Sequence, residues 1–389
     1  MRHSFIDLLA CPISGEQLVV IGAEEKDQPI PPPYIETAQR VGSIGDVVGP
    51  LPKEFVPTTD LGRAIAAAAA PAGNADRNMQ SVIWEGVLLA PNCGRWYPII
   101  EGIPEILPDS LRNWSRDKAL IHERLKKVDD SVKNLMDYSI GWADTSVKAG
   151  DNYKNSEITL LNKVDDLGSF TGPGLLSPFN PYEFHHSAEF IRGFSNCIPS
   201  LNINVGSYVL DSGSGYSWTT EWFMKMGVHA VGLEINRTYL DVGRRRMGLN
   251  QPHLIIADAE NLPFADGVFD AILGFDAFHH IPDRPKAMRA FERVLKNIGR
   301  VVLVEPGGAH EMNAISQSVM QKYGTMEIGM ELSDVQMYID GIKSFNPAVE
   351  TFIYPVKSDD RREVIPLKDA MDRNFMGWCL YVIDKNGGI

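Results

Sequence analysis

The stretch YVLDSGSGYSWTTEWF, residues 208–223, runs from an apolar strand through two glycines into an aromatic-rich helix. In open α/β sheets such a strand-to-helix corner holds a ligand, because ligands sit at the carboxyl ends of the strands. The chain repeats the pattern downstream. YVLDSG is followed by a helix over 217–226, AVGLEI by a helix near 236–247, then come HLIIAD and FDAILGFD, a helix over 285–296, and RVVLVEP. That alternation predicts βαβ units in a mostly parallel sheet with helices on both faces.

The residues of the corner narrow the ligand. A dinucleotide fingerprint needs G-x-G-x-x-G, the third glycine letting the helix pack tightly on the strand. Gly213 and Gly215 are present, but Trp218 holds the third position. Asp211 opens the loop with an anion that would repel a pyrophosphate and favour a sulfonium or an ammonium. S-adenosylmethionine carries both cations and no phosphate. Glu234 ends the second strand, 21 residues after Gly213, where a carboxylate can accept from both ribose hydroxyls. Asp258 ends the third strand in IIADAENLPF, placed to accept from an adenine amino group.

Strand-D-x-G-x-G, strand-E, strand-D-A-x-x-L-P-F and strand-x-x-H-H-x-x-D, in this order, resemble the class I S-adenosylmethionine-dependent methyltransferases, in particular the branch similar to ubiquinone and menaquinone biosynthesis methyltransferases. The resemblance covers about residues 182–305 and closes on RVLKNIGRVVLVEP. It implies a Rossmann-like seven-stranded α/β fold whose last strand is inserted between its neighbours, VETFIYPVK and FMGWCLYVIDK being the final pair. It also implies that Ser214, Ile235, Ala259, Glu260 and Phe275 join Asp211, Gly213, Gly215, Glu234 and Asp258 around the cofactor. Ser217 stands where the family has a last glycine, and Asn297-Ile298 where it has a Pro-Gly turn.

His279 and His280 follow the fourth strand, beside the expected methyl group, and neutral imidazole is the natural base for a hydroxyl that must lose a proton. His280 is the favoured base, with His279 second and Asp276 as a substrate contact or an orienting group. The structural alternative for the histidines is packing or capping, and for Asp276 a helix N-cap. His185-His186 and His310-Glu311 lack the spacing of metal ligands, and no metal is assigned.

The front of the chain has its own resemblance. LACPIS and LAPNCGRWYPIIEGIPEILP look like the small zinc-ribbon domain of methyltransferase activators, with Cys11 and Cys93 kept and Ser14 and Ala90 in the other two ligand positions. A structural zinc site uses four thiolate or imidazole ligands, so the ribbon is expected to persist without metal on packing of Ile13, Leu18, Trp96, Tyr97 and Ile103. Its expected roles are a lid, a docking surface or a dimer contact.

The domains then read as 1–108, a degenerate ribbon with a Pro/Ala-rich insertion over about 22–80; 109–180, a helical linker or lid; and 181–389, the methyltransferase domain with a Met-rich insertion over about 308–345. Those methionines suit a core or an apolar substrate pocket.

Composition limits the partners. The 37 basic and 50 acidic residues give a net charge of −13, which argues against a nucleic-acid partner. The one dense basic run, Arg244–Arg246, reads as a solvated helix face. No run reaches the ~18 apolar residues of a membrane helix, so a cytoplasmic protein without membrane contact is expected. The reading is methyl transfer to a small organic acceptor, at oxygen ahead of nitrogen or carbon. Its rivals are an RNA methyltransferase and a noncatalytic partner built on the same fold.

Overall fold

The computed structural model describes residues 1–29, 79–90, 92–124, 143–163, 174–179, 184–247, 253–355 and 377–386. Most of the Pro/Ala-rich insertion lies outside these residues. Its expected edges do not form loops: β1 (Val19–Pro29) and β2 (Met79–Leu89) are long antiparallel strands.

The remaining strands are β3 (Trp96–Ile100), β4 (Ile103–Ile106), β5 (Tyr208–Ser212), β6 (His229–Glu234), β7 (His253–Ala257), β8 (Phe269–Phe275), β9 (Leu295–Pro306), β10 (Glu350–Pro355) and β11 (Gly377–Asp384). All belong to one 11-stranded sheet of order β1-β2-β3-β4-β7-β6-β5-β8-β9-β11-β10. β5 to β9 pair in parallel, and β11 enters antiparallel between β9 and β10, as the sequence predicts. The central strands are buried along almost their whole length, which is why they read as continuous apolar runs. Neighbouring residues of β5 enter opposite cores: Leu210 packs with Phe269, Ile272 and Phe291, Val209 with Phe194, Phe223 and Val302.

Nine helices are found among the described residues: α1 (His3–Ile6), α2 (Trp114–Arg124), α3 (Asp151–Thr159), α4 (Phe184–Leu201), α5 (Trp218–Lys225), α6 (Arg237–Arg246), α7 (Arg284–Val294), α8 (Ala314–Tyr323) and α9 (Leu332–Ile339). Local chemistry sets their starts. Asn236, Asp283 and Asn313 each accept an amide of the first turn of α6, α7 and α8. Gly324 closes α8 in the left-handed conformation.

The ribbon continues the main sheet. β4 pairs in parallel with β7, setting Glu105 opposite Ile256, and Phe5, Leu9, Leu18 and Tyr97 share a core with Ile255, Phe264 and Phe269. Each such aromatic or aliphatic side chain contributes ~1.5–3 kcal/mol by burial. Arg244 of the arginine triplet, expected to be solvated, helps to hold this junction, while Arg245 is exposed. Arg244 pairs with Glu101 at 2.6 Å, and Arg237 of the same helix with buried Glu105 at 2.6 Å. Arg246 binds Glu221 at 2.9 Å and the carbonyls of Gly174 and Leu175.

In the ribbon Leu18, Trp96, Tyr97 and Ile103 are buried as expected, but Ile13 is 58% exposed at the tip of its loop. The two cysteine loops are joined by a carboxylate. Glu16 accepts from the Ser14 hydroxyl at 2.9 Å and from the amides of Cys93 at 3.1 Å and Asn92 at 2.9 Å. Cys93 donates to Ser14 Oγ at 3.6 Å, while buried Cys11 faces the Tyr97 hydroxyl. Glu16 thus links the loops that a metal links in an intact ribbon. Glu16→Ala is expected to lower stability by about 1–2 kcal/mol, the net worth of a few partly exposed hydrogen bonds. A urea titration showing an unchanged midpoint would remove Glu16 from that role.

Candidate active site

At the carboxyl ends of β5 to β8 lies a cavity of about 620 Å³. Its floor is the corner that opens the sequence reading. Gly213 has φ +76°, and a Cβ there would stand 2.4 Å from Ala277 Cβ, so only glycine fits. Ser217 takes φ +57° at the start of α5, and Gly243 of α6 packs against it. The family's glycine position therefore keeps its left-handed backbone with a serine.

The loop amides are turned inward. Gly213 and Ser214 donate to the Leu233 carbonyl, Gly215 to Glu234 at 3.0 Å and Ser217 to the Ser214 carbonyl. A pyrophosphate needs such amides free. The cavity wall instead offers acceptors: Glu157, Glu234, Asp258, Asp276 and Glu327, against Lys154. Buried Ser212 also lines it, with a hydroxyl that has no hydrogen-bond partner. This donor and acceptor set suits a cationic ligand with ribose and amino groups and disfavours a dinucleotide.

Ser214, Ile235, Ala259 and Phe275, expected around the cofactor, line the cavity. Asp211 does not. Its carboxylate lies beneath the loop and accepts from the hydroxyls of Thr219 and Thr220 at the start of α5. Burial raises its pKa to about 6 despite those bonds. Asp211 therefore anchors the helix and reaches no ligand directly. Glu260 is also turned away, pairing with Lys154 and accepting from the Asp283 amide at 2.9 Å.

Lys154 on α3 was not legible in the sequence. Its ammonium pairs with Asp258 at 2.8 Å, and Asn261 donates to the same carboxylate oxygen. Asp258 Oδ1 accepts the Glu260 amide and keeps capacity for an adenine amino group. The same helix brings Glu157 to the cavity and is tied to the sheet by Asn236, which donates to the Glu157 carbonyl at 2.7 Å.

Glu234 accepts the amides of Gly215, Ile235 and Asn236. Burial, with Glu157 nearby, outweighs these donors and raises its pKa to about 7. The protein therefore holds this carboxyl largely protonated below neutrality, so its contribution to stability is present at acid pH and lost as the pH rises through about 7. Ribose hydroxyls favour the ionised form. Affinity for adenosine, which has no ionising group in this range, is expected to fall about tenfold from pH 8 to pH 6. A flat profile would mean that Glu234 does not meet the ribose.

The two histidines separate in role. His279 is buried, with Nδ1 2.7 Å from Glu305 and Nε2 3.4 Å from Glu327. Burial would lower its pKa, but these carboxylates overcome it and raise it to about 10. Held between two carboxylates, His279 positions the loop and is poorly placed to serve as a base. His280 lines the cavity, with Nδ1 3.4 Å from Glu157. Asp276, at φ +53°, also lines it, and it caps no helix: the 3-10 turn Phe278–His280 starts from Ala277 without a side-chain cap.

Part of the lining is aromatic. Phe190 of α4 stacks on Trp218 with centroids 6.0 Å apart and meets Phe275 edge-on at 5.6 Å, with Phe179 at the rim. The Met-rich segment contributes Val319, Thr325 and Glu327 to the cavity rather than its methionines.

These features define a class I S-adenosylmethionine-dependent methyltransferase domain behind a ribbon of the activator type, and S-adenosylmethionine is the cofactor of that domain. Comparison with known proteins agrees. Residues 210–303 match the methyltransferase domain family, and residues 2–102 match the Trm112p-like protein family. Methyltransferase GfsG of Streptomyces halstedii is 30% identical over 143 residues, 36% of this chain and 51% of that protein. Demethylmenaquinone methyltransferase of Staphylococcus haemolyticus is 36% identical over 110 residues, 27% of this chain and 46% of that protein. The chain thus spans about half the length of these curated relatives. Among solved structures, the complex of the Haloferax volcanii Trm112 methyltransferase activator with a methyltransferase matches at 17% identity and a TM-score of 0.43, covering 58% of this chain and 98% of that one. No described helix is long and apolar enough to cross a membrane.

Proposed function

We propose that this protein methylates a small organic acceptor, at oxygen, from S-adenosylmethionine. The observation that carries the reading is the cavity itself: its lining combines carboxylate acceptors for a cationic nucleoside with aromatic side chains and the His280–Glu157 pair. When bound, S-adenosylmethionine supplies an electrophilic methyl group on a sulfonium. Glu234 and Asp258 would hold its ribose and adenine, and Ser212 and the carboxylate-lined wall its charged end. Phe190, Trp218 and Phe275 orient the acceptor and exclude water, so alignment supplies most of the rate. The His280–Glu157 pair takes the proton that a hydroxyl acceptor must lose.

A nucleic-acid acceptor is the reading that the Trm112p-like segment raises. The acidic net charge and the carboxylate-rich cavity wall weigh against it. Methyl-labelled cofactor, incubated with the protein and separated metabolite and RNA fractions, tests the choice. Label in a small molecule supports the proposal, and label confined to RNA would replace it.

A further inference from the structure

We propose that His279 Nε2, His280 Nδ1 and the Glu327 carboxylate bind one divalent transition-metal cation of the zinc class, with an open position toward the cavity. The donor atoms of these three side chains lie within 4.8 Å of one another. Their spacing suits a shared ion better than direct hydrogen bonds. His279 Nε2 stands 3.4 Å from one Glu327 oxygen, and His280 Nδ1 stands 3.8 Å from the other. Hydrogen bonds of this type close at ~2.7–3.2 Å. Ligand atoms at the corners of a tetrahedron with ~2.0–2.1 Å bonds stand ~3.3–3.4 Å apart.

Two further observations point to a ligand at the same place. His280 Nδ1 and Glu157 Oε1 are buried without a hydrogen-bond partner, although they face each other at 3.4 Å. His279 is held as metal-binding histidines are held, its Nδ1 on the buried Glu305 carboxylate and its Nε2 aimed away from it. Glu327 Oε2, the oxygen that faces His279, also meets His310 Nε2 at 3.2 Å, itself 3.2 Å from Ser316 Oγ. Glu157, Asp276, Glu305 and Glu327 surround these imidazoles, an excess of negative charge that a dication offsets.

Imidazole and carboxylate donors suit zinc, cobalt or manganese better than calcium or magnesium. His280, Glu327 and Glu157 line the cavity, so the open position faces the acceptor. A hydroxyl bound there would be acidified by the cation: its O–H bond breaks, the oxygen keeps the pair, and the proton passes to Glu157. This use of the cation rests on the proposed function, with His280 then a ligand and Glu157 the proton acceptor of the pair, whereas the site does not. It departs from the metal-free expectation of the sequence because Glu327 arrives from the Met-rich segment, with no spacing that links it to the histidines.

The test is calorimetric titration of the full chain, stripped with chelator, with zinc chloride and then cobalt chloride, the cobalt form being read also by its visible absorption. The expected result is about one cation per chain, weakened 100-fold or more in Glu327→Gln and in His280→Gln and unchanged in Cys93→Ser, with circular dichroism showing all variants folded. No binding by the wild type, or binding lost in Cys93→Ser and kept in Glu327→Gln, overturns the site. Methyl transfer by a chain that binds no cation would sink this inference and leave the proposed function standing. Cation binding by a chain that binds no S-adenosylmethionine would do the reverse.

Discussion

Replacing Glu305 by Ala is expected to cost about 3–5 kcal/mol of stability, the penalty for stranding a buried charge. Glu305 is fully buried at the end of β9. Its carboxylate accepts the amides of Ala277, Phe278 and His279 and pairs with the His279 ring at 2.7 Å. Removing it leaves those amides and one side of the imidazolium without an acceptor. Glu305→Gln keeps a carbonyl for the amides and loses the charge, so its loss should be smaller. Denaturant unfolding of both variants checks the order, and an alanine variant within 1 kcal/mol of wild type would show that the loop stands without Glu305.

The second large effect is on turnover. His280→Ala is expected to reduce kcat ~100-fold or more while affinity for the cofactor stays near wild type. His280 reaches the cavity beside Glu157, whereas His279 is locked between Glu305 and Glu327. His279→Ala should therefore disturb folding as well as rate. Steady-state assays with the acceptor found in the fractionation separate kcat from KM. Normal turnover in His280→Ala would leave transfer to alignment alone.

Much of the frame was legible because it repeats. The strand runs from 208 to 306 are mostly buried on both faces, so hydropathy alone marks them. Gly213 and Glu234 were legible because their positions follow from backbone geometry and strand end. Side-chain direction was not. Asp211 turns inward because Thr219 and Thr220 on the next helix supply donors that no strand pattern records. Lys154, Glu157, Glu305 and Glu327 reach the site from segments far apart in the chain, and no spacing links them. The junction of β4 with β7 was hidden for the same reason: a strand pattern does not name its partner.

The measurement that bears most directly on the central claim is calorimetric titration of the chain with S-adenosylhomocysteine, alongside a nicotinamide dinucleotide. The loop amides are spent on Leu233, Ser214 and Glu234, and the cavity wall is lined with carboxylates. About one S-adenosylhomocysteine per chain, with no binding of the dinucleotide, is the predicted result. Tight binding of the dinucleotide with none of S-adenosylhomocysteine would contradict it.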